Sequence, residues 1–390
     1  MKFVFWISLV AIAYSVGGYL LLLLVLRAGQ MLLAGPRNPM RRDTNVLWGQ
    51  PVKVSVVIPV RNEEPAIAER IDNLLSLDYP REHLEILVGS DGSTDRTVEI
   101  VRQYAGALLK VFEFRLHRGR SAVFNDVVPH ARGEVLVFTD AKTRFCPQFL
   151  RHVVSWFAQD SVGVVTGRLE YLTENNILNF ASRMFLKYEM WLRALESNLG
   201  LLTIGLSGAC VAIRREVFTP LDPVPDLDDS VGLDALRKGY RIVYEPMARA
   251  YDQAPRTLAG EIGARARISS QAWMVFKRYG WRFWLAHPRA LFGILSHRVV
   301  RWLLPVWLLG LFVASLALRK AEVYYNIIFV GQALWYSFVL LAWVAGRGRA
   351  GAGVRILSLP AWFLAGVVGL TIGLIRAVAG QAPGKYSSPE

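Results

Sequence analysis

Four charge-free apolar stretches frame the chain: Phe3 to Leu26, Trp302 to Leu318, Val323 to Ala345 and Ile356 to Ile375. Each is near the roughly 20 residues that cross a bilayer as a helix. The first has only Lys2 before it and no clear small-residue cleavage site, so it reads as a retained anchor rather than a signal peptide. Between the first two stretches the pattern changes. VKVSVVIPV (52–60) is an apolar, β-branched run typical of a strand buried on both faces. The acidic turn RNEEP follows, then an amphipathic helix with Ile67, Ile71, Leu74 and Leu75 on one face. LEILVGS (84–90) predicts the next strand, ending in Asp91-Gly92-Ser93-Thr94-Asp95. A helix from about Arg96, the strand LLKVFEF, a helix at 119–131 and the strand EVLVFTD continue the series. Strand and helix alternate four times, which is the signature of a parallel, doubly wound sheet.

Ligands of such sheets sit beyond the C-terminal ends of the strands, and Glu63, Asp91 and Asp140 all fall at such ends. Alone, each has an ordinary explanation: Asp91 as the cap of the following helix, Glu63 as a solvated turn residue, Asp140 as a turn-forming Asp. Three acids at three strand ends of one sheet point instead to a site. Further on, NILNFASRMFLKYEMWLRALESNLG (176–200) sets Ile177, Leu178, Phe180, Met184, Phe185, Trp191 and Leu192 among Arg and Lys. ISSQAWMVFKRYGWRFWLAHP (268–288) mixes Trp and Phe with basic residues. Both predict helices lying in a membrane interface.

Composition adjusts this picture in three ways. Hydrophobic residues make up 53% of the 390 residues and the mean hydropathy is +0.30, which the apolar stretches explain. The net charge of +14 sits largely beside those stretches, where anionic lipid accounts for it better than nucleic acid does. Arg27, Arg37, Arg41 and Arg42 follow the first span, and Arg347, Arg349 and Arg355 separate the third from the fourth. The positive-inside rule makes that side cytoplasmic, with both termini outside, although Arg319 and Lys320 fall in the outer loop. Cys146 and Cys210 have no metal spacing and suit a reducing compartment. The spans contain no ionisable residue, which argues against a transporter. The implied division is 1–28 for the first membrane helix and 45–260 for the α/β domain. Residues 261–298 form amphipathic interface helices, and 299–380 three further membrane helices.

The order of motifs over residues 52–285 resembles the family-2 glycosyltransferases, inverting nucleotide-sugar enzymes of the GT-A fold. VSVVIPVRNEE is similar to the opening strand and nucleotide-facing turn, implying substrate contacts at Pro59 and Glu63. SDGSTD resembles the element whose Asp, here Asp91, contacts the base. RGRSAVFN (118–125) is similar to the G-K-x-x-A-x-N segment, with Arg120 in the lysine's place and Arg118 beside it. FTDAKT occupies the D-x-D position. SGACVAIRREVF (207–218) resembles the acceptor-side segment, which brings in Gly208 and Ala209. DLDDSVGLDALRKGYRIVYEP (226–246) resembles the acidic motif followed by a Gly-Tyr-Arg strand, implying a catalytic base at Asp229. The resemblance thus implies an α/β GT-A domain, Rossmann-like with a mostly parallel sheet, in the cytoplasm. About four transmembrane helices and the interfacial helices complete it.

Elementary chemistry supports the same roles. Inverting transfer needs a base for the acceptor hydroxyl and something to neutralise the leaving diphosphate. Asp228-Asp229 supplies paired carboxylates, and like charges side by side raise one of the two pKa values. Asp228 is the alternative base or a hydrogen-bonding neighbour; an Asp-rich helix cap is the ordinary explanation.

Two departures matter. The second acid of D-x-D is Lys142, so Asp140 alone would hold Mg²⁺ or Mn²⁺, with diphosphate and water completing the shell. Alternatively the Lys142 ammonium contacts the phosphates without metal, or catalysis is lost. Downstream, the Q-x-x-R-W of processive synthases reads Ala264-Arg265-Ala266-Arg267-Ile268, which keeps a phosphate contact at Arg267 and lacks the Trp. The expectation is transfer from a UDP-sugar to a lipid-linked or glycan acceptor in a cell membrane, in envelope-glycan, exopolysaccharide or glycolipid synthesis. Homo-oligomers or other envelope-glycan proteins are candidate partners. The rival is a membrane-bound nucleotide-binding protein that has lost turnover and keeps a regulatory role.

Overall fold

A computed structural model describes residues 1–34, 51–172, 177–222, 227–253, 257–345 and 358–381. Arg37, Arg41, Arg42, Arg347, Arg349 and Arg355, used above for orientation, lie outside these residues, as do Asp226 and Ile356. The side chains of Ile177, Leu178 and Phe180 are also outside the description.

Eight strands form one sheet: β1 (Val54–Val60), β2 (Leu84–Asp91), β3 (Leu109–Phe114), β4 (Val135–Phe138), β5 (Arg144–Phe145), β6 (Val162–Leu172), β7 (Val211–Arg214) and β8 (Arg241–Gln253). Their order is β3-β2-β1-β4-β7-β6-β8-β5. The first four are parallel neighbours, as the alternation predicts. The second half is mixed: β7 runs antiparallel to β4 and β6, β8 runs parallel to β6, and β5 antiparallel to β8.

Strand β1 is central and buried on both faces, which explains its unbroken apolar run. Val54, Val56, Ile58 and Val60 pack with Ile67, Ile71 and Leu74 of helix Ile67–Leu75 on one side. Val57 and Leu87 pack with Val123, Phe124 and Val127 of helix Arg120–Val127 on the other. That second helix lies close because β2 carries Gly89, where a Cβ would come 2.3 Å from Val123 Cγ1. It begins at Gly119, whose φ of +99° suits glycine. The sheet thereby aims Arg120, the helix's first residue, over the strand ends.

Among the described residues two apolar helical stretches are long enough to cross a membrane, Lys2–Leu33 and Val323–Leu341. A third candidate is broken: Pro288–Trp302 and Leu304–Leu318 meet at 57°. Pro305 lies in the first turn of the second piece, where a proline, lacking an amide hydrogen, cannot continue a preceding helix. The expected fourth span is the helix Ser358–Val378, with a shorter apolar run at Trp362–Val378. The first apolar helix, Leu304–Leu318 and Val323–Ala345 pack together through Phe5, Leu311, Ala314 and Tyr325.

Both predicted amphipathic helices form, over Ile177–Leu199 and Leu258–Ala286. The longer one breaks at Gly280, with φ +65°. Val275, Trp284 and Trp302 are buried together while Trp281, Leu285 and Trp191 remain exposed, so the aromatics serve two surfaces.

Candidate active site

At the end of β1 the turn 61–64 is laced to the turn after β2. Glu63 N–H donates to Thr97 Oγ1 at 2.8 Å, Glu64 N–H to Asp95 Oδ2 at 3.1 Å, and Thr94 N–H to Asn62 Oδ1 at 2.8 Å. Asn62 adopts φ +52°, which Asn tolerates better than most residues. Asp95, not Asp91, serves the start of the next helix, since its Oδ1 accepts from Thr97 N–H at 3.0 Å. Asp91 is buried and faces the other way. Its Oδ1 accepts from Arg118 N–H and its Oδ2 from Gly119 N–H, both at 2.8 Å, with His117 Nδ1 also 2.8 Å from Oδ2. It therefore shapes the turn that launches Arg120. Pro59 stands half-buried in β1, opposite Gly89 of β2.

Arg120 is the centre of the group. Its Nη1 donates to Asp140 Oδ1 at 3.2 Å and its Nη2 to Asp228 Oδ1 at 3.0 Å. One guanidinium thus joins the acid at the end of β4 to the acid 88 residues later that opens helix Leu227–Arg237. Asp228 lies directly on Gly208, where a Cβ would sit 1.8 Å from Asp228 Oδ1. Gly208 and Ala209 form a buried one-turn 3-10 helix ahead of β7. Asp229 is buried beside its neighbour and accepts from Gly205 N–H at 3.2 Å.

Lys142 is paired with Glu63, Nζ to Oε2 at 3.6 Å, so the Asp-Ala-Lys tip leans toward the first turn. Arg118 pairs with Asp126 at 2.5 Å and stacks on Phe114. Arg267 sits half-buried on helix Leu258–Ala286, one turn along from the Arg265–Glu261 pair at 2.7 Å. The structure therefore gathers Asp140, Arg120, Asp228, Gly208 and Asp229 into one chain of contacts. Glu63 and Lys142 form a second pair, and Asp91 with Arg118 a third cluster.

Two participants escaped the sequence reading. Arg70, on the buried face of helix Ile67–Leu75, donates to Thr139 Oγ1 at 2.8 Å and stacks 4.3 Å from the Phe145 ring. Burial pulls its guanidinium down to about 9, while Asp140 and Asp252 hold it up, so it remains charged near neutral pH. A lone Arg within an otherwise apolar helix face was its only signal. Asp252, near the end of β8, has its carboxyl pushed up to about 6, by burial first and by the charge of Asp140 second. Nothing local in Tyr251-Asp252-Gln253 marks it.

Among the described residues no group of three or more His, Cys, Asp or Glu side chains is arranged to hold a metal ion. What the site offers is a solvent-reachable oxygen donor at Asp140, with Asp252 close enough to feel its charge. That hard donor set fits Mg²⁺ or Mn²⁺ provided diphosphate and water supply the remaining ligands.

Comparison with known proteins agrees with this architecture. Residues 55–221 match the family model described as glycosyl transferase family 2. Among relatives, a beta-monoglucosyldiacylglycerol synthase of Nostoc sp. is 29% identical over 171 residues, covering 42% of this chain and 36% of that protein. A poly-beta-1,6-N-acetyl-D-glucosamine synthase of Staphylococcus aureus is 25% identical over 224 residues, 55% of this chain and 53% of that one. The chain thus matches between about a third and just over half of the length of these curated relatives. A solved structure, mannosyltransferase PcManGT from Pyrobaculum calidifontis in complex with GDP-Man and Mn²⁺, superposes with a TM-score of 0.68 at 24% identity, over 96% of this chain and 99% of that one. That likeness extends the shared fold beyond the domain to the apolar helices. Residues 55–221 are thus similar to glycosyl transferase family 2, and the chain shares a GT-A-like fold with the solved mannosyltransferase.

Proposed function

We propose that this protein transfers a sugar from a nucleoside-diphosphate sugar, a UDP-sugar in the first instance, to a membrane-proximal acceptor with inversion at the anomeric carbon. The observation that carries the reading is the Arg120 bridge between Asp140 and Asp228. It links the strand end where a diphosphate would lie to the acidic helix start where an acceptor hydroxyl would be deprotonated. The names of the relatives, a glycolipid synthase and a polysaccharide synthase, support the acceptor class. The neighbour solved with GDP-Man and Mn²⁺ supports testing a guanosine donor and a divalent ion as well.

In this mechanism the turns at 61–64 and 91–95 border the nucleoside, with Glu63 and Pro59 at its edge. Arg120 donates to the diphosphate as its charge develops, exchanging a carboxylate partner for phosphate oxygens. Lys142 and Arg267 supply further positive charge along the phosphates. Asp229 takes the proton of the acceptor hydroxyl as that oxygen bonds to the anomeric carbon. The anomeric carbon–oxygen bond breaks, and the electron pair leaves with the nucleoside diphosphate. A divalent ion at Asp140 would add neutralisation of the leaving diphosphate. The apolar helices keep this chemistry at a bilayer surface, on the cytoplasmic side by the positive-inside rule.

The test is nucleotide release by the purified protein in lipid nanodiscs, across UDP- and GDP-sugars, with Mg²⁺, Mn²⁺ or excess EDTA. Release that EDTA abolishes assigns a metal to Asp140. Release that survives EDTA assigns the diphosphate to Arg120, Lys142 and Arg267. No release from any donor, with added lipid extract as acceptor, overturns the reading.

A further inference from the structure

A buried cluster of charge lies on the membrane side of Asp229, and no step above uses it. Helix Ile177–Leu199 contributes Glu189, Arg193 and Glu196. The π-helical turn Ile294–Val299 contributes His297 and Arg298, and Arg301 follows one turn on. Glu189 is the hub, paired with Arg298 Nη1 at 3.3 Å, His297 Nε2 at 3.5 Å and Arg301 Nη1. Glu196 accepts from Tyr19 Oη at 2.9 Å and lies 2.6 Å from His297 Nδ1. Three guanidiniums therefore face two carboxylates, before any charge on His297 is counted.

The excess falls on Arg193 and Arg298. Arg193 is 8% exposed; its Nη1 donates to Ser207 Oγ at 2.6 Å, and its buried Nε has no acceptor. Arg298 Nη2 is likewise buried without an acceptor. Its guanidinium lies against Gly205, where a Cβ would sit 2.5 Å from Nη2. The two charges are near enough to act on one another: burial lowers the Arg193 guanidinium, and the charge of Arg298 lowers it further. Buried donors in native folds are almost always satisfied, and paired like charges repel unless an anion joins them. Two guanidiniums with orphaned donors, one on Ser207 and one against Gly205 of the same turn, thus describe an anion subsite.

Its position identifies the anion's carrier. Gly205, under Arg298, donates its N–H to Asp229. Ser207, bonded to Arg193, precedes Gly208 and the Asp228 contact. On the other side, the π-turn leads into the apolar helix Leu304–Leu318, and Tyr19 belongs to the apolar stretch Lys2–Leu33. Such a place, between the base and the apolar helices, is the level at which lipid phosphates lie.

We propose that Arg193 and Arg298 bind the phosphoryl group of a lipid acceptor, setting its headgroup hydroxyl against Asp229. This rests on the glycosyl-transfer reading above and narrows its acceptor to a phosphate-bearing lipid. The pair positions the acceptor and takes no proton.

The experiment is a binding titration of the full chain in maltoside micelles, which contain no phosphate. The probes are dioctanoyl phosphatidate, dioctanoylglycerol and inorganic phosphate. Phosphatidate is expected to bind at least about tenfold more tightly than dioctanoylglycerol, which differs only by the phosphate. Arg193→Lys and Arg298→Lys keep a charge for Ser207 and Glu189 but lose the planar fork, and each is expected to weaken phosphatidate about tenfold while leaving dioctanoylglycerol unchanged. Equal binding of the two lipids overturns the proposal, as does unchanged phosphatidate affinity in both variants. Inorganic phosphate binding as tightly as phosphatidate overturns the lipid assignment and gives the subsite to a soluble anion. Because the readout is binding, a protein that holds phosphatidate yet releases no nucleotide from any donor would sink the transferase reading while leaving the anion subsite standing.

Discussion

At the strand ends Arg120 bridges two carboxylates and Glu63 holds Lys142, and the partners they hold stay in reach of water: the side chains of Lys142, Asp228 and Asp140 are 41, 33 and 26% exposed. In the cluster around Glu189 the carboxylate and the imidazole are both shut away from water. Glu189 and His297 side chains are 6 and 2% exposed, and several cations converge on one carboxylate. Near water an ion pair is worth little and exchanges readily, which suits groups that must release Asp140 or Asp228 to hold a charged substrate. In a low dielectric each remaining charge becomes costly once its partner is gone. The strand-end site is therefore suited to exchange and the Glu189 cluster to permanence. The two meet at Gly205, which touches Arg298 on one side and Asp229 on the other.

The sharpest way to break this contrast is at the meeting point. Asp229→Asn is expected to lower the transfer rate by about a thousandfold through loss of the base, with the melting temperature kept; nucleotide release measured beside a thermal melt checks both. Glu189→Gln should do the opposite. It leaves Arg298, Arg301 and His297 facing a neutral group and is expected to cost about 3–4 kcal/mol of stability, read by denaturant unfolding in micelles. The pH dependence has a defined sign. Burial opposes the Glu189 charge, but Arg301, His297 and Arg298 outweigh it and hold the carboxyl well below its usual value. Its contribution is thus full above about pH 4.3, the unfolded value, and is lost as pH falls through the lower folded value. The acid limb of the stability curve should flatten in Glu189→Gln.

Arg120→Ala tests the bridge itself, with an expected loss of about a hundredfold in rate from one charged donor to the diphosphate. A rate within a factor of two of wild type would detach Arg120 from the chemistry. Smallest of all, Asp126→Asn breaks the Arg118 pair, whose side chains are 40 and 41% exposed. It should change stability by less than about 0.5 kcal/mol. A larger loss would mean that exchangeable and permanent charges are not separated by burial in this protein.

The four parallel strands, the acids at their ends and the apolar spans were legible because each is a local pattern: a β-branched run, a turn after it, twenty residues without charge. The partners of those acids were not. Asp91 reads equally well as a helix cap, and only the chain's return at His117 to Gly119 shows where its two oxygens point. The pairing of Lys142 with Glu63, 79 residues earlier, has no local mark either. In the mixed half the sequence marked the Gly-Tyr-Arg strand that is β8 but not its pairing, and β5, with two residues, is too short to display a period.

What the sequence by itself determined is the framework: a doubly wound half-sheet with Glu63, Asp91 and Asp140 at its edge, an acidic pair at Asp228-Asp229, and apolar helices on either side. Periodicity and turn chemistry act over a few residues, so they are written in neighbouring letters. Only the tertiary structure decided that Arg120 joins Asp140 to Asp228, that Arg70 and Asp252 feel the charge of Asp140, and that Arg193 and Arg298 both touch the turn 205–207. Those outcomes depend on the distance between charges and on the water excluded around them. Neither quantity exists until segments a hundred residues apart are packed together.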